Sequence, residues 1–63
     1  MPKTNVEVKL IGKDSNAFTI LGTVRKALTS AGHHKLAKEY FEEATKGDYN
    51  HLLATTMDYV NVI

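Results

Sequence analysis

The amino-acid sequence predicts a small α+β domain built as a strand, three helices and a second strand. Three observations lead to this fold class. Polar and apolar residues alternate over residues 5–11, which is typical of a half-buried strand. Apolar residues then recur at spacings of three and four in segments separated by glycine, which indicates helices. Residues 59–63 are rich in β-branched and aromatic side chains, which favours a strand.

The first strand follows residues 1–4, which are expected to be a frayed terminus. Within residues 5–11, three apolar side chains are expected to face the core: Val6, Val8 and Leu10. Three polar side chains would then face solvent or a ligand: Asn5, Glu7 and Lys9. Residues 12–15 are of types common in turns, so the chain is expected to reverse there into the first helix.

The first helix is predicted over residues 16–32, because start and stop signals frame one apolar face. Asn16 can accept a hydrogen bond from a first-turn amide, and Asp14 or Ser15 could do so if the helix begins earlier. Gly32 can adopt the left-handed conformation that ends a helix. Six residues share the apolar face: Ala17, Ile20, Leu21, Val24, Leu28 and Ala31.

Gly22 interrupts the middle of this helix. A glycine at such a position costs about 1 kcal/mol relative to alanine. We therefore expect another backbone to pack closely against Gly22, where a side chain would not fit.

Two further helices are predicted on either side of a Gly47-Asp48 junction. The second runs from His33 to about residue 46, where Gly47 is expected to close it with a left-handed conformation. Asp48 is a strong cap for a third helix over residues 49–58. The predicted apolar faces comprise Leu36, Ala37, Tyr40, Phe41 and Ala44 in the second helix, and Leu52, Leu53, Thr56 and Met57 in the third.

The two predicted strands, residues 5–11 and 59–63, are expected to pair with each other, within one subunit or between two. A chain of 63 residues forms a single domain over residues 1–63, and a domain this small buries only about 60% of the surface that its unfolded chain exposes. The chain has no cysteine and hence no disulfide. Oligomerisation is the remaining source of core, so we expect a homodimer.

Composition limits the classes of function. Eight basic and seven acidic side chains give a formal charge of +1, which does not favour non-specific binding to nucleic acid. The absence of cysteine fits a reducing compartment, and the first residues lack an apolar signal core, so a cytoplasmic location is expected. No apolar run approaches the roughly 20 residues that span a bilayer.

No cofactor, metal site or enzymatic activity is predicted. His33 and His34 are adjacent, so they point in different directions on a helix, and no cluster completes a metal shell. Asp48 and His51 lie three positions apart and could form a proton-transfer pair. Asp48 is already needed as a cap, however, and His51 occupies a position where caps are often completed. The sequence contains no nucleophile elbow or phosphate-binding loop.

Two longer motifs begin near the first and third helices. They are V-x-L-I-G-x-D-x-N-A-F-x-I-L-G-x-V over residues 8–24 and G-D-Y-N-H-L-L-x-T-x-M over residues 47–57. In both, the chain resembles a family of small uncharacterised proteins of bacteria and their phages, and the resemblance extends from Val6 over nearly the whole chain. Residues 33–46 match only in pattern. The resemblance implies a mobile-element context and carries no established activity.

The resemblance also implies a set of pattern positions: Asp14, Asn16, Phe18, Gly22, Gly47, Asp48, Tyr49 and His51. Caps, turns and packing explain most of them. Tyr49 and His51 are the hardest to explain in that way, so they form the candidate functional pair.

We predict a small non-enzymatic protein that acts through protein–protein contacts, for example by occupying a surface of a host protein. Tyr49 and Tyr59 are predicted to be exposed, and tyrosine often anchors interfaces. Together with His51 they are the candidate interaction residues.

The alternative is a dimeric DNA-binding protein of the ribbon-helix-helix type. In that class a short strand pairs across two subunits and places its polar face in the major groove. Asn5, Glu7 and Lys9 would form that face. The near-neutral charge, the acidic Glu7 and the additional helix and strand all argue against this alternative.

Overall fold

The computed structural model describes residues 2–9 and 16–63. The elements in chain order are β1 (Glu7–Val8), α1 (Ala17–Ser30), α2 (His34–Ala44), α3 (Tyr49–Tyr59) and β2 (Asn61–Val62). The α+β class and the order of elements are therefore confirmed. The predictions for Leu10, for the turn at residues 12–15 and for the alternative caps Asp14 and Ser15 lie outside the described residues.

β1 and β2 form a parallel pair within one chain, in the register Glu7↔Asn61 and Val8↔Val62. The N–H of Asn61 donates to the carbonyl of Val6 at 2.8 Å, and the N–H of Ile63 donates to the carbonyl of Val8 at 3.0 Å. Three helices joined by short connections reverse the chain at each step, so the second strand returns in the direction of the first. Both strands are shorter than predicted.

The core lies where α2 packs against both α1 and α3. Its buried apolar residues come from β1, from the three helices and from the residue after α3: Val8, Ile20, Leu21, Val24, Leu28, Ala37, Tyr40, Ala44, Leu52, Tyr59 and Val60. Both residues of β2 are exposed. Tyr40 is fully buried, and its hydroxyl lies 2.7 Å from that of Thr56. Because Thr56 donates to the carbonyl of Leu52 at 2.8 Å, Tyr40 is the donor in this pair.

Three residues predicted to be buried are exposed. Ala31 follows the last turn of α1 and is its C-cap. Phe41 lies at the edge of the buried face of α2, and Met57 is 58% exposed on α3. The buried positions of α3 are Leu52, Thr55, Thr56 and Tyr59. They are spaced three and four apart, so the face is rotated from the predicted one and Met57 falls outside it.

The predicted signals at both ends of α1 are confirmed. The side-chain oxygen of Asn16 accepts a hydrogen bond from the N–H of Phe18 at 2.8 Å. Gly32 has a φ of 87°, and the N–H of His33 donates back to the carbonyl of Leu28 at 2.8 Å. This combination is the Schellman motif, for which a left-handed residue is required.

The structure does not support close packing at Gly22. The residue is exposed, and no atom of the described residues lies within 4 Å of the position that its Cβ would occupy. Within this part of the chain, Gly22 therefore leaves an open space on the outer face of α1.

Gly22→Ala is expected to raise the free energy of unfolding by about 0.5–1 kcal/mol, because alanine loses less backbone entropy in a helix. Urea unfolding followed by circular dichroism measures the change. A less stable alanine variant would show that a neighbour does limit the space at this position.

The junction between α2 and α3 differs from the prediction in one respect. α2 ends at Ala44, and its C-cap Thr45 donates its N–H to the carbonyl of Phe41. Among the described residues only Gly32 has a positive φ, so Gly47 does not close α2 in the predicted way. The Asp48 cap is confirmed: its carboxylate accepts the N–H of His51 at 2.9 Å.

Candidate interaction surface

An open groove of about 280 Å³ lies between the start of α1, the end of α2 and the start of α3. Its walls include Phe18 and Leu21 from α1, Thr45 after α2, and Tyr49 and Leu52 from α3. We call it the aromatic groove. The caps at Asn16 and Asp48 fix the first turns of α1 and α3 and thereby position Phe18 and Tyr49.

The aromatic side chains of the groove are unusually exposed. Phe18 is 81% exposed and Tyr49 is 42% exposed. Phe41 is also exposed, and it lies one helical turn before Thr45, so it continues the same side of the protein. Three of the five aromatic residues are thus outside the core. Large apolar side chains exposed on one side of a small protein make this surface the candidate interaction site.

Two basic residues border this surface beyond Phe41. The guanidinium carbon of Arg25 lies 4.6 Å from the ring centroid of Phe41, a cation–π contact. Lys38 lies three positions before Phe41 and is exposed on the same side of α2. Among the described residues no carboxylate forms an ion pair with either cation. The apolar surface therefore has a basic border.

Tyr49 also begins a second apolar strip along α3. Leu53 and Met57 follow it at intervals of four, which places the three residues on one side of the helix. Leu53 is half-buried against the core and Met57 is exposed. The apolar surface thus extends from the aromatic groove along α3.

The structure does not bring Tyr49 and His51 together in one site. Tyr49 lines the aromatic groove, whereas His51 lines a separate polar pocket. The Nε2 atom of His51 lies 2.8 Å from the carbonyl oxygen of Glu43, and because a carbonyl only accepts, Nε2 donates. This bond links α3 to the last turn of α2. Asp48 contacts His51 through its backbone N–H, as a cap.

The position of the His51 ring depends on Gly47. A Cβ at Gly47 would lie 2.8 Å from both Cβ and Cγ of His51, which is closer than carbon atoms approach in proteins. Gly47 is therefore required because the His51 side chain occupies the space of a Cβ at position 47, and not because the position has a positive φ.

The prediction that Tyr59 is exposed is wrong. Tyr59 is 3% exposed, because it is the last residue of α3 and lies on the buried face, not in a strand. Its hydroxyl donates to Oε1 of Glu39 at 2.7 Å. Its ring packs edge-to-face on Tyr40, with 5.5 Å between the centroids. Tyr59 is a core residue with a polar tip.

The polar pocket, of about 510 Å³, is formed around Lys3, Glu39, Glu43, His51 and Tyr59. Lys3 Nζ lies 2.8 Å from Glu39 Oε1 and 4.5 Å from the ring centroid of Tyr59. The hydrogen bond from Lys3 lowers the pKa of the Glu39 carboxyl, and the same bond raises the pKa of Lys3. Burial and the bond to Glu39 raise the pKa of Tyr59.

Two carboxylates of the polar pocket are held in ion pairs, Glu39 with Lys3 and Glu43 with Lys46. Glu43 forms an ion pair with Lys46 at 2.8 Å, which lowers the pKa of Glu43. Within residues 2–9 and 16–63, no group of three acidic, histidine or cysteine side chains is placed to hold a metal ion. The contacts of this pocket join the residues before β1 to α2 and α3, which is a structural role. The expectation of a frayed terminus is wrong for Lys3 and Thr4, because the N–H of Lys3 donates to the carbonyl of Asp58 at 2.8 Å and Thr4 is buried.

Asn5, Glu7 and Lys9 are exposed, as the sequence pattern predicts. Their alternation with the buried Val8 places them away from the core. Contact of these residues with DNA stays a prediction.

Comparisons of the chain with protein-family models, with curated proteins and with solved structures gave no match. The resemblance to small proteins of bacteria and their phages therefore stays a prediction. In the part of the chain that the structure describes, no helix has the length and apolar character needed to cross a bilayer.

Phe18, the most exposed large apolar residue of the groove, is not among the predicted interaction residues. A signal for its exposure is present in the sequence. The apolar face of α1 includes positions 17, 20, 21, 24 and 28, and position 18 lies outside it. A large apolar side chain off the buried face of a capped helix is a candidate interaction residue.

Proposed function

We propose that the protein is a non-enzymatic interaction protein that binds a segment of another protein in the aromatic groove. The observation that carries the proposal is the exposure of Phe18, at 81%, on the wall of a groove shared with Tyr49. Aromatic residues that become buried on binding contribute strongly to affinity. The groove, at about 280 Å³, is at the lower edge of the roughly 300–1,000 Å³ typical of small-molecule sites.

The chemistry of the surface defines the partner segment. An apolar side chain would fill the groove between Phe18 and Tyr49, and Met57 with Leu53 would extend the contact along α3. Arg25 and Lys38 favour acidic residues beside the apolar anchor, because no described carboxylate forms an ion pair with either of them. Electrostatic complementarity of this kind selects partners and their orientation. The proposed ligand is therefore an apolar segment flanked by acidic residues.

The resemblance to proteins of bacteria and phages supports a host protein as the source of that segment and the cytoplasm as the place of action. The expected homodimer belongs to the same proposal. Its interface would be separate from the groove, which leaves the groove available to the partner.

Phe18→Ser is expected to weaken recognition of such segments strongly. Selection from a random peptide display library against the wild-type protein should enrich apolar peptides with acidic flanks. Their dissociation constants should rise at least about tenfold for Phe18→Ser, as for a residue that carries much of the binding energy. Because Phe18 is exposed, the variant should keep the fold, which circular dichroism checks.

Ile63→Ser is the matched control, since Ile63 is also a large exposed apolar residue but does not line the groove. It should bind the selected peptides with unchanged affinity. Reversing the charge of the border with Arg25→Glu and Lys38→Glu should shift the selection towards basic flanks. Enriched peptides that bind Phe18→Ser and wild type equally would refute the groove as the binding site.

A further inference from the structure

Within residues 2–9 and 16–63, nothing hydrogen-bonds to the edge of β1 that faces away from β2. The carbonyls of Val6 and Val8 accept hydrogen bonds from β2. Successive residues of a strand direct their backbone groups to alternate edges, so Glu7, and Lys9 directly after the strand, direct theirs to the opposite edge. No described residue hydrogen-bonds to Glu7 or Lys9 there, and both side chains are exposed.

We propose that this edge binds a second copy of the chain, with β1 antiparallel to the partner's β1 about a two-fold axis at Val8. In this register Glu7 lies opposite the partner's Lys9. The N–H of Glu7 would donate to the carbonyl of the partner's Lys9, and the N–H of the partner's Lys9 would donate to the carbonyl of Glu7. The two-fold axis repeats the arrangement, which satisfies the open backbone groups on both chains.

Charge selects this register among those that the backbone allows. Only pairings between outward-directed residues can form these bonds, so for pairs made by Glu7 and Lys9 alone the axis can lie at Glu7, Val8 or Lys9. An axis at Glu7 places two carboxylates opposite each other, and an axis at Lys9 places two ammonium groups opposite each other. Like charges at directly opposed positions are destabilising, whereas opposite charges stabilise the pair. The axis at Val8 creates two Glu7–Lys9 pairs and no repulsive one.

The proposed pairing also enlarges the sheet. Two short strands are marginal without further packing, which the helices supply here, and the partner's strands would add backbone hydrogen bonds. The dimer would have four strands in the order β2, β1, the partner's β1 and the partner's β2. Val8, buried on the core side of β1, would lie beside the partner's Val8 at the axis and join the two cores.

A charge-exchange experiment tests the proposal by sedimentation equilibrium over micromolar to millimolar concentrations. In the Glu7→Lys variant lysines face each other at positions 7 and 9 of the two chains, and in the Lys9→Glu variant glutamates do. The dissociation constant of the dimer should therefore rise about tenfold to a hundredfold in each single variant. An equimolar mixture of the two variants places opposite charges at every pair and should form a heterodimer. The double variant Glu7→Lys with Lys9→Glu should regain the wild-type dimer.

Both substitutions are on exposed side chains, and unchanged circular dichroism shows that each variant is folded. Phe18→Ser is the control, because it alters the aromatic groove and leaves β1 intact, and its dimer should be unaffected. A wild-type protein with the mass of one chain at all concentrations would overturn the proposal. The proposal would also be overturned if both single variants had the dissociation constant of the wild-type dimer, or if Phe18→Ser dissociated the dimer.

Discussion

Leu28→Ala is expected to lower the free energy of unfolding by about 2–5 kcal/mol, the usual cost of emptying a buried leucine site. Leu28 is 0% exposed in α1, and neighbouring helices can collapse only partly into the space left behind. Domains have stabilities of roughly 0.05–0.15 kcal/mol per residue, so the variant should be substantially unfolded without denaturant. Urea unfolding followed by circular dichroism measures the loss.

Leu36→Ala is the matched comparison for Leu28→Ala. Leu36 is only partly buried against the core, so the same substitution removes less buried surface and should cost less. Equal costs at the two positions would contradict the assignment of Leu28 to the centre of the core.

Gly47→Ala is expected to lower the free energy of unfolding by about 1–3 kcal/mol, as for other overpacked sites. The new methyl group would meet His51 at Cβ, close to the backbone of α3, so rotation of the side chain cannot remove the contact. The ring would also move away from the Glu43 carbonyl, to which it now donates at 2.8 Å. Thermal melting measures the loss, and NMR of the His51 ring N–H reports the broken bond.

Gly22→Ala is the control for Gly47→Ala, because the same chemical change occurs in open space. The two variants should have opposite signs, with alanine stabilising at position 22 and destabilising at position 47. A Gly47→Ala protein that melts at or above the wild-type temperature would show that the ring of His51 is not held as described.

The elements predicted correctly are those whose signals are local. Asn16 and Asp48 each cap a helix through a hydrogen bond within three residues, and Gly32 ends α1 through its own φ. Such interactions require no knowledge of the rest of the fold. The apolar period of α1 is also a property of consecutive residues, and its central positions are buried as predicted.

The errors arise where distant parts of the chain decide the outcome. Tyrosine is common in strands, and Tyr59 lies in a segment rich in strand-forming residues. α3 nevertheless continues to Tyr59, whose ring packs against Tyr40 in the core. The buried face of α3 differs from the predicted one by a rotation that only packing against α2 specifies. Gly47 is predicted to end a helix, because glycine often does so. Its contact with His51 cannot be predicted from the sequence, because that contact depends on the path of the backbone between two helices.

The candidate site was predicted in part. Tyr49 is a predicted interaction residue and lies on the wall of the aromatic groove, whereas Phe18 is not among the predicted interaction residues. His51 was selected because its local position offered no complete explanation, and its structural partner is the Glu43 carbonyl, eight positions earlier. Because every residue has a backbone carbonyl, the amino-acid sequence does not show which carbonyl accepts this hydrogen bond.

The connection between the two ends of the chain affects the order in which the protein folds. The hydroxyl of Thr4 donates to the carbonyl of Tyr59 at 2.7 Å, across 55 positions of sequence, and the β1–β2 pair closes a loop of similar length. Such a closure has a larger entropic cost than joining adjacent helices through short turns, and non-local pairing is slow for this reason. Helical hairpins can form early from local contacts, whereas the strands gain little until α3 is packed. We therefore expect the sheet to be assembled last, on a surface that the helices have already formed.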